Sequence, residues 1–293
     1  MKSRKKNRIL SLLLAMVMVI GVFVIPTPDE VSAATKSYSF KGTGKSSVTI
    51  KDADCYKGTS LKTHYIKYKA GVTGTITLKM TNKSGKSSYT AGYLTLCNSK
   101  KKVIGTANEY YDTYDDDSRY FTRTYGVKKG VTYYFRVKAY AGVKITATVK
   151  SVKDLKNHSK TKAKSLKAKS TVTGLIKAND KTADWYKITV PANKKVRITV
   201  TANTNGLVET STAYKSSGGI KATLMNSKGK PWASSGGSFY ASVVKKSNKC
   251  EYYRENIYGV KKGVSDTKTT FYIKVERLNA ASSGSYTLKW QTY

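Results

Sequence analysis

The chain has 293 residues, enough for two domains of ordinary size, and carries 54 Lys and Arg against 17 Asp and Glu, a net charge of +37. Two His and three Cys leave little material for a histidine-based catalytic centre or a disulfide framework, and no Cys-x-x-Cys metal pair is present. A field of this size draws anionic polymers to the protein, but the lysines are spread evenly (Lys67, Lys69, Lys79, Lys187, Lys194, Lys195), so no specific nucleic-acid partner is expected.

Residues 1–33 read as a secretory signal peptide. Lys2, Arg4, Lys5, Lys6 and Arg8 form a basic start, residues 9–25 are apolar apart from Ser11 and Gly21, and Val31-Ser32-Ala33 places small residues for cleavage after Ala33. The apolar run approaches the roughly 18 residues of a membrane-spanning helix, so an uncleaved anchor is the alternative, but Pro26 and Pro28 end the run before the cleavage site. A second apolar run of this kind is absent. The expected product is secreted, without a transmembrane segment after cleavage and held at the cell surface by charge.

From residue 34 onward, helical periodicity gives way to short runs in which apolar residues alternate with Thr or Lys, as in Ile76-Thr77-Leu78-Lys79-Met80 and Val196-Arg197-Ile198-Thr199-Val200. Such runs are strands with one face on a core and one in water. The heptapeptide Tyr125-Gly126-Val127-Lys128-Lys129-Gly130-Val131 recurs letter for letter at 258–264, each time ahead of an aromatic, β-branched run. Other pairs match in order: Val48 with Val172, Ile66 with Ile188, Ile76 with Ile198, Cys97 with Met225, and Asn98-Ser99-Lys100 with Asn226-Ser227-Lys228. The expected fold is all-β: two tandem jelly-roll-like antiparallel β-sandwich domains, at 34–152 and 163–293, joined by the polar linker 153–162.

The second half has a recognisable order: Asp184-Trp185-Tyr186-Lys187-Ile188, then Val196-Arg197-Ile198, Ala222-Thr223-Leu224-Met225-Asn226, Phe271-Tyr272-Ile273-Lys274-Val275 and Gly284-Ser285-Tyr286-Thr287-Leu288. This resembles the bacterial pre-peptidase C-terminal domain, a β-sandwich appended to secreted peptidases, and the first half resembles a diverged copy. There Tyr65-Ile66-Lys67-Tyr68 replaces the Asp-Trp-Tyr opening, and His64 is expected at the place of Tyr186. The resemblance implies an accessory role without catalysis, and related collagenase domains bind calcium, although no complete ligand set matches here.

No nucleophile elbow, His-Glu-x-x-His motif or oriented Cys-His pair is present, and no enzyme activity is expected. Asp112, Asp115, Asp116 and Asp117, with Glu109 upstream, form a candidate calcium loop, calcium being the only cofactor considered. Asp180 and Asp184 form a weaker one. Candidate ligand-binding aromatics are Trp232, Phe239 and Tyr240 in a Gly/Ser-rich insertion, and Tyr110, Tyr111 and Tyr114 beside the acidic loop. These features point to a secreted, non-catalytic module contacting an anionic envelope polymer, an extracellular glycan or a protein. The alternative is a structural spacer, or an accessory protein for a separately secreted enzyme.

Overall fold

The computed structural model describes residues 37–86, 90–105, 109–112, 120–205, 219–232, 238–241, 246–255 and 260–293. The signal peptide, Tyr114, Asp115, Asp116 and Asp117 therefore lie outside the described residues. No α-helix occurs among the described residues.

The first half contains β1 (Tyr38–Phe40), β2 (Lys45–Ile50), β3 (Tyr56–Lys57), β4 (Ser60–Leu61), β5 (His64–Lys69), β6 (Gly74–Asn82), β7 (Ala91–Cys97), β8 (Glu109–Asp112), β9 (Tyr120–Val127), β10 (Thr132–Ala139) and β11 (Val143–Ser151). A sheet of order β1-β5-β10-β7-β8 packs on one of order β2-β11-β6-β9. The core follows the alternation: on β10, Tyr133, Phe135, Val137 and Ala139 are buried while Tyr134, Arg136 and Lys138 reach solvent. β1 runs parallel to β5, a departure from the antiparallel expectation.

The second half contains β12 (Lys164–Ser165), β13 (Thr171–Ile176), β14 (Asp184–Val190), β15 (Val196–Thr204), β16 (Ile220–Met225), β17 (Ser238–Ala241), β18 (Lys246–Tyr252), β19 (Arg254–Glu255), β20 (Lys261–Lys262), β21 (Thr269–Arg277) and β22 (Gly284–Thr292). Its sheets run β12-β14-β21-β16-β17 and β13-β22-β15-β18. Leaving aside the short β3-β4 and β19-β20 hairpins, the two halves share one strand order.

The ladders correct the residue matching. Cys97 bridges to Val103 as Met225 does to Pro231, and Asn98 and Asn226 each accept backbone N–H groups in the turn that follows. This makes Leu96 and Leu224 equivalent. Leu96 faces Phe135, which faces Ile66, and Leu224 faces Ile273, which faces Tyr186. Tyr186 thus answers to Ile66, Trp185 to Tyr65, and Asp184 to His64. The expected placing of His64 at Tyr186 is two residues out. A slip of two leaves every side chain on its own face, so alternation alone does not detect it.

The heptapeptide is corrected in the same way. Val48 faces Ile145, which faces Met80, and Val172 faces Leu288, which faces Val200. Ile76 then answers to Val196, and Tyr125, opposite Ile76, answers to Tyr252, opposite Val196. Both tyrosines are fully buried. Tyr252, not the tyrosine of the second heptapeptide copy, is thus the ladder counterpart of Tyr125; Tyr258 and Gly259 lie outside the described residues. The closing turns of the two copies bond to different places: Gly130 N–H donates to Ala70 O at 2.8 Å, and Val264 N–H to Lys194 O at 2.9 Å.

Residues Tyr38–Tyr293 form one compact unit, and its halves meet at Gly126. Ala178 N–H donates to Gly126 O at 2.8 Å. A Cβ at residue 126 would stand 2.0 Å from Ile176 O and 3.0 Å from Gly284 N, so only glycine fits. Ala178 is buried in the core cluster of the first sandwich. Gly126→Ala is expected to destabilise the chain by about 2 kcal/mol through overpacking, read as a lowered Tm. Gly85→Ala, with nothing within 4 Å of the added methyl, should leave Tm unchanged.

Candidate binding surfaces

A cleft of about 620 Å³ opens at the join, lined by Asn98, Lys100, Lys128, Tyr133, Lys177 and Lys181 among others. Its floor is an ion-pair cluster. The Lys177 ammonium lies 2.8 Å from Asp154 Oδ2 and 3.0 Å from Asp180 Oδ2, with only 9% of its side chain exposed. Burial disfavours the ammonium charge, but the two carboxylates outweigh it and raise the Lys177 pKa above that of an ordinary lysine. Burial likewise pushes Asp180 up, yet the Thr182 N–H, the Lys177 ammonium and the Thr182 hydroxyl hold it at about 2. Asp154 is lowered for similar reasons, burial being outweighed by Lys177 and the Lys156 N–H. The weaker calcium candidate at Asp180 thus has a cation of the protein's own.

Beside it lies a buried polar chain. Tyr286 Oη donates to Asp184 Oδ2 at 2.6 Å, and the hydroxyls of Tyr186 and Tyr286 are 2.8 Å apart. His158 bridges Asp184 Oδ1 and Asp154 Oδ1, at 3.1 Å each. Burial raises the Asp184 pKa, with Tyr286 and His158 opposing. Burial also lifts both tyrosines far above their usual range.

His64, Cys55 and Cys97 are tied into the fold. His64 Nε2 lies 2.8 Å from Asp54 O. Burial, then Asp52 and Asp54, push the Cys55 thiol up to about 11, the reverse of nucleophile activation. Cys97 is fully buried, as its match to Met225 implied. Among the described residues, no group of three or more His, Cys, Asp or Glu is placed to hold a metal.

The aromatic candidates are scattered. Trp232 is not an exposed loop platform. Its N–H donates to Leu224 O at 2.9 Å, and its partly buried ring packs on the second core, 6.1 Å from Tyr252. Phe239 and Tyr240 lie in β17, paired with Ala222 and Lys221. Tyr110, Tyr111 and Asp112 lie in β8, opposite Tyr93, Gly92 and Ala91.

A surface that sequence reasoning missed is the outer face of each five-stranded sheet. In the first sandwich Tyr65 stands opposite Arg136, and Lys67 opposite Tyr134. In the second, Trp185 stands opposite Lys274, and Lys187 opposite Tyr272. Each is a two-by-two checkerboard of aromatic and cation at equivalent positions. The aromatic pairs are edge-on, with centroids 6.3 Å apart for Tyr65 and Tyr134 and 6.4 Å for Trp185 and Tyr272. Lys101 Nζ stands 4.8 Å above the Tyr65 ring, and Lys160 Nζ 5.4 Å above that of Tyr272. The pattern appears in sequence only when the outward positions of two non-adjacent strands are read in correct register.

No family model matches the sequence, and no curated protein matches it. Among solved structures, the pre-peptidase C-terminal domain of collagenase from Bacillus anthracis is 14% identical, covers 44% of this chain and 94% of its own, and superposes with a TM-score of 0.29. The N-terminal CBM22 tandem domain of Paenibacillus barcinonensis Xyn10C is 10% identical, covers 75% of this chain and 78% of its own, with a TM-score of 0.23. Neither likeness bears on what this chain binds.

Lys177→Met leaves two carboxylates facing one another and is expected to cost about 2 kcal/mol at neutral pH. Asp154 and Asp180 have depressed pKa values in the fold. The stability they contribute is present above the unfolded value of 3.8 and is lost as pH falls through their depressed values, about 2 for Asp180. Asp184, raised by burial, acts in the opposite sense above 3.8. Melting curves from pH 5 down to about 2 should fall less steeply for Lys177→Met than for the unaltered chain; an equal slope would show that the cluster does not supply the acid-labile stability.

Proposed function

We propose that this is an exported, non-catalytic protein that binds anionic polymers of the cell envelope or extracellular glycans, with domains at 34–152 and 163–293, the second of pre-peptidase C-terminal type. The observation that carries this reading is the division of charge. Asp52 accepts from the Gly85 and Gly142 N–H groups, Asp154 and Asp180 hold Lys177, Glu251 pairs with Arg197, and Asp266 with Arg254. Lys67, Lys69, Lys128, Lys129, Lys187 and Lys289 remain exposed. These carboxylates are engaged within the chain while these lysines are left to the surroundings, an arrangement suited to polyanion capture. His64, bonded to Asp54 O, and Cys55, whose thiol burial pushes up, support a role without catalysis.

A spacer or accessory role is favoured by a different observation, the single compact unit made by the two sandwiches, which sets a fixed separation between partners. Retention of the full chain on purified anionic wall polymer and on a neutral glucan, at low and high salt, separates the readings. Selective retention on the anionic polymer is expected, falling as salt rises. Equal partition between the two matrices at low salt would overturn the binding reading and leave the spacer role.

A further inference from the structure

We infer that the two aromatic-cation checkerboards are a pair of equivalent sites for an acidic polysaccharide, a chain of pyranose rings bearing carboxylates. The inference rests on the binding reading above and names its ligand class. A charge-driven surface needs no rings, and a neutral-sugar surface needs no cations. Here each ring stands directly opposite a cation across a ladder, in both sandwiches: Tyr65 with Arg136, and Trp185 with Lys274. Facing strands are about 4.8 Å apart and alternate residues on one face about 6.8 Å apart. One checkerboard therefore presents apolar ring surface and ammonium or guanidinium groups within the span of neighbouring sugars. The apolar C–H face of a pyranose can lie on the aromatic ring, while its carboxylate takes a charge-assisted hydrogen bond from the exposed Lys67 or Lys187 of the same checkerboard; Lys274 is itself paired with Glu276 at 2.6 Å.

The second half retains this arrangement while much around it changes. Asp184 replaces His64 in the strand position just before the ring, and Lys101 and Lys160, which stand over the rings, come from unrelated turns. Lys67 and Lys187 are exposed, while the rings are half-buried, so their positions are held by packing before any ligand arrives. The face is an open sheet surface without the basic groove that tracks the backbone in many single-strand binders. Charge complementarity and ring spacing together favour a carboxylated glycan over a polyphosphate, and oligo-dT as a probe tests it against a nucleic acid.

The test uses the full chain and four probes: polygalacturonic acid, polyglutamate, neutral dextran and oligo-dT. At about 0.5 M NaCl the screening length is only a few ångströms, and binding to polygalacturonic acid is expected to persist while binding to polyglutamate is lost. Tyr65→Ala combined with Trp185→Ala should weaken polygalacturonic acid binding about tenfold, with Tyr65→Phe combined with Trp185→Phe retaining it. Lys67→Gln with Lys187→Gln should weaken it more than Lys45→Gln with Lys289→Gln, an equal loss of charge from exposed positions on the four-stranded sheets. These lysine variants alter only solvated side chains and keep the test decisive if the ring variants fail to fold. Equal effects of the two lysine pairs, equal binding of polyglutamate, or tighter binding of oligo-dT would each overturn the proposal while leaving polyanion binding in place. Failure to bind any of the anionic probes at low salt would instead remove the binding reading itself.

Discussion

Everything at the join depends on one main-chain contact that tolerates no side chain. Gly126 sits in an edge strand of the first sandwich, and the end of β13 from the second lies on it, with Ile176 O where a Cβ would be. Ala178 completes the contact by donating to Gly126 O and entering the first core. Lys177 is carried between these residues, and its place between Asp154 and Asp180 follows from theirs. The cleft, the ion-pair cluster and the fixed spacing of the halves are consequences of that approach. An interface in which one half supplies core to the other behaves as part of the fold, unlike the more polar interface of hinged domains.

The halves share a strand order but fill their cores by different means. In the first, Ile50 faces Val143 across the β2-β11 ladder. In the second, Gly174 faces Tyr286, and a Cβ at Gly174 would stand 2.2 Å from the Tyr286 ring. The volume given up by one residue is taken by its partner. The gain is a hydroxyl deep in the core, which reaches Tyr186 and Asp184. Such a chain is stable only when every member is satisfied, and here each hydroxyl and the carboxylate has a partner. The first half has His64 in place of Asp184 and turns its ring to Asp54 O, outside the core chain.

The architecture was legible because alternation of Thr or Lys with apolar residues is a direct record of two-sided strands. The register was less so. Pairing Ile66 with Ile188 satisfied alternation as well as pairing it with Tyr186, and only ladder geometry separates the two. The heptapeptide misled in the same way: identical letters at Tyr125 and Tyr258 suggested equivalence, whereas burial of Tyr252 opposite Val196 shows which tyrosine fills that place. The site residues were the least legible. Trp232 looked exposed because it follows Pro231 in a polar stretch, yet it takes the place of the buried Ile104, each donating its N–H back to the preceding strand. The checkerboards escaped notice because Tyr65 and Arg136 are 71 residues apart in sequence and meet only through a long-range ladder.

The ion-pair cluster at the join has a consequence for how the protein responds to its medium. With a net charge of +37, seating one half on the other brings like charge together, and self-repulsion opposes the compact state. Dissolved ions act on this in two senses. They weaken the pairs around Lys177 only slightly, because that ammonium is largely shielded from water. They relax the repulsion among the exposed lysines far more. Rising ionic strength therefore steadies the body of the protein while weakening the charge-driven part of its hold on a polyanion, so dilute surroundings favour capture of any polyanion and brine leaves a better-folded molecule whose remaining hold rests on its rings.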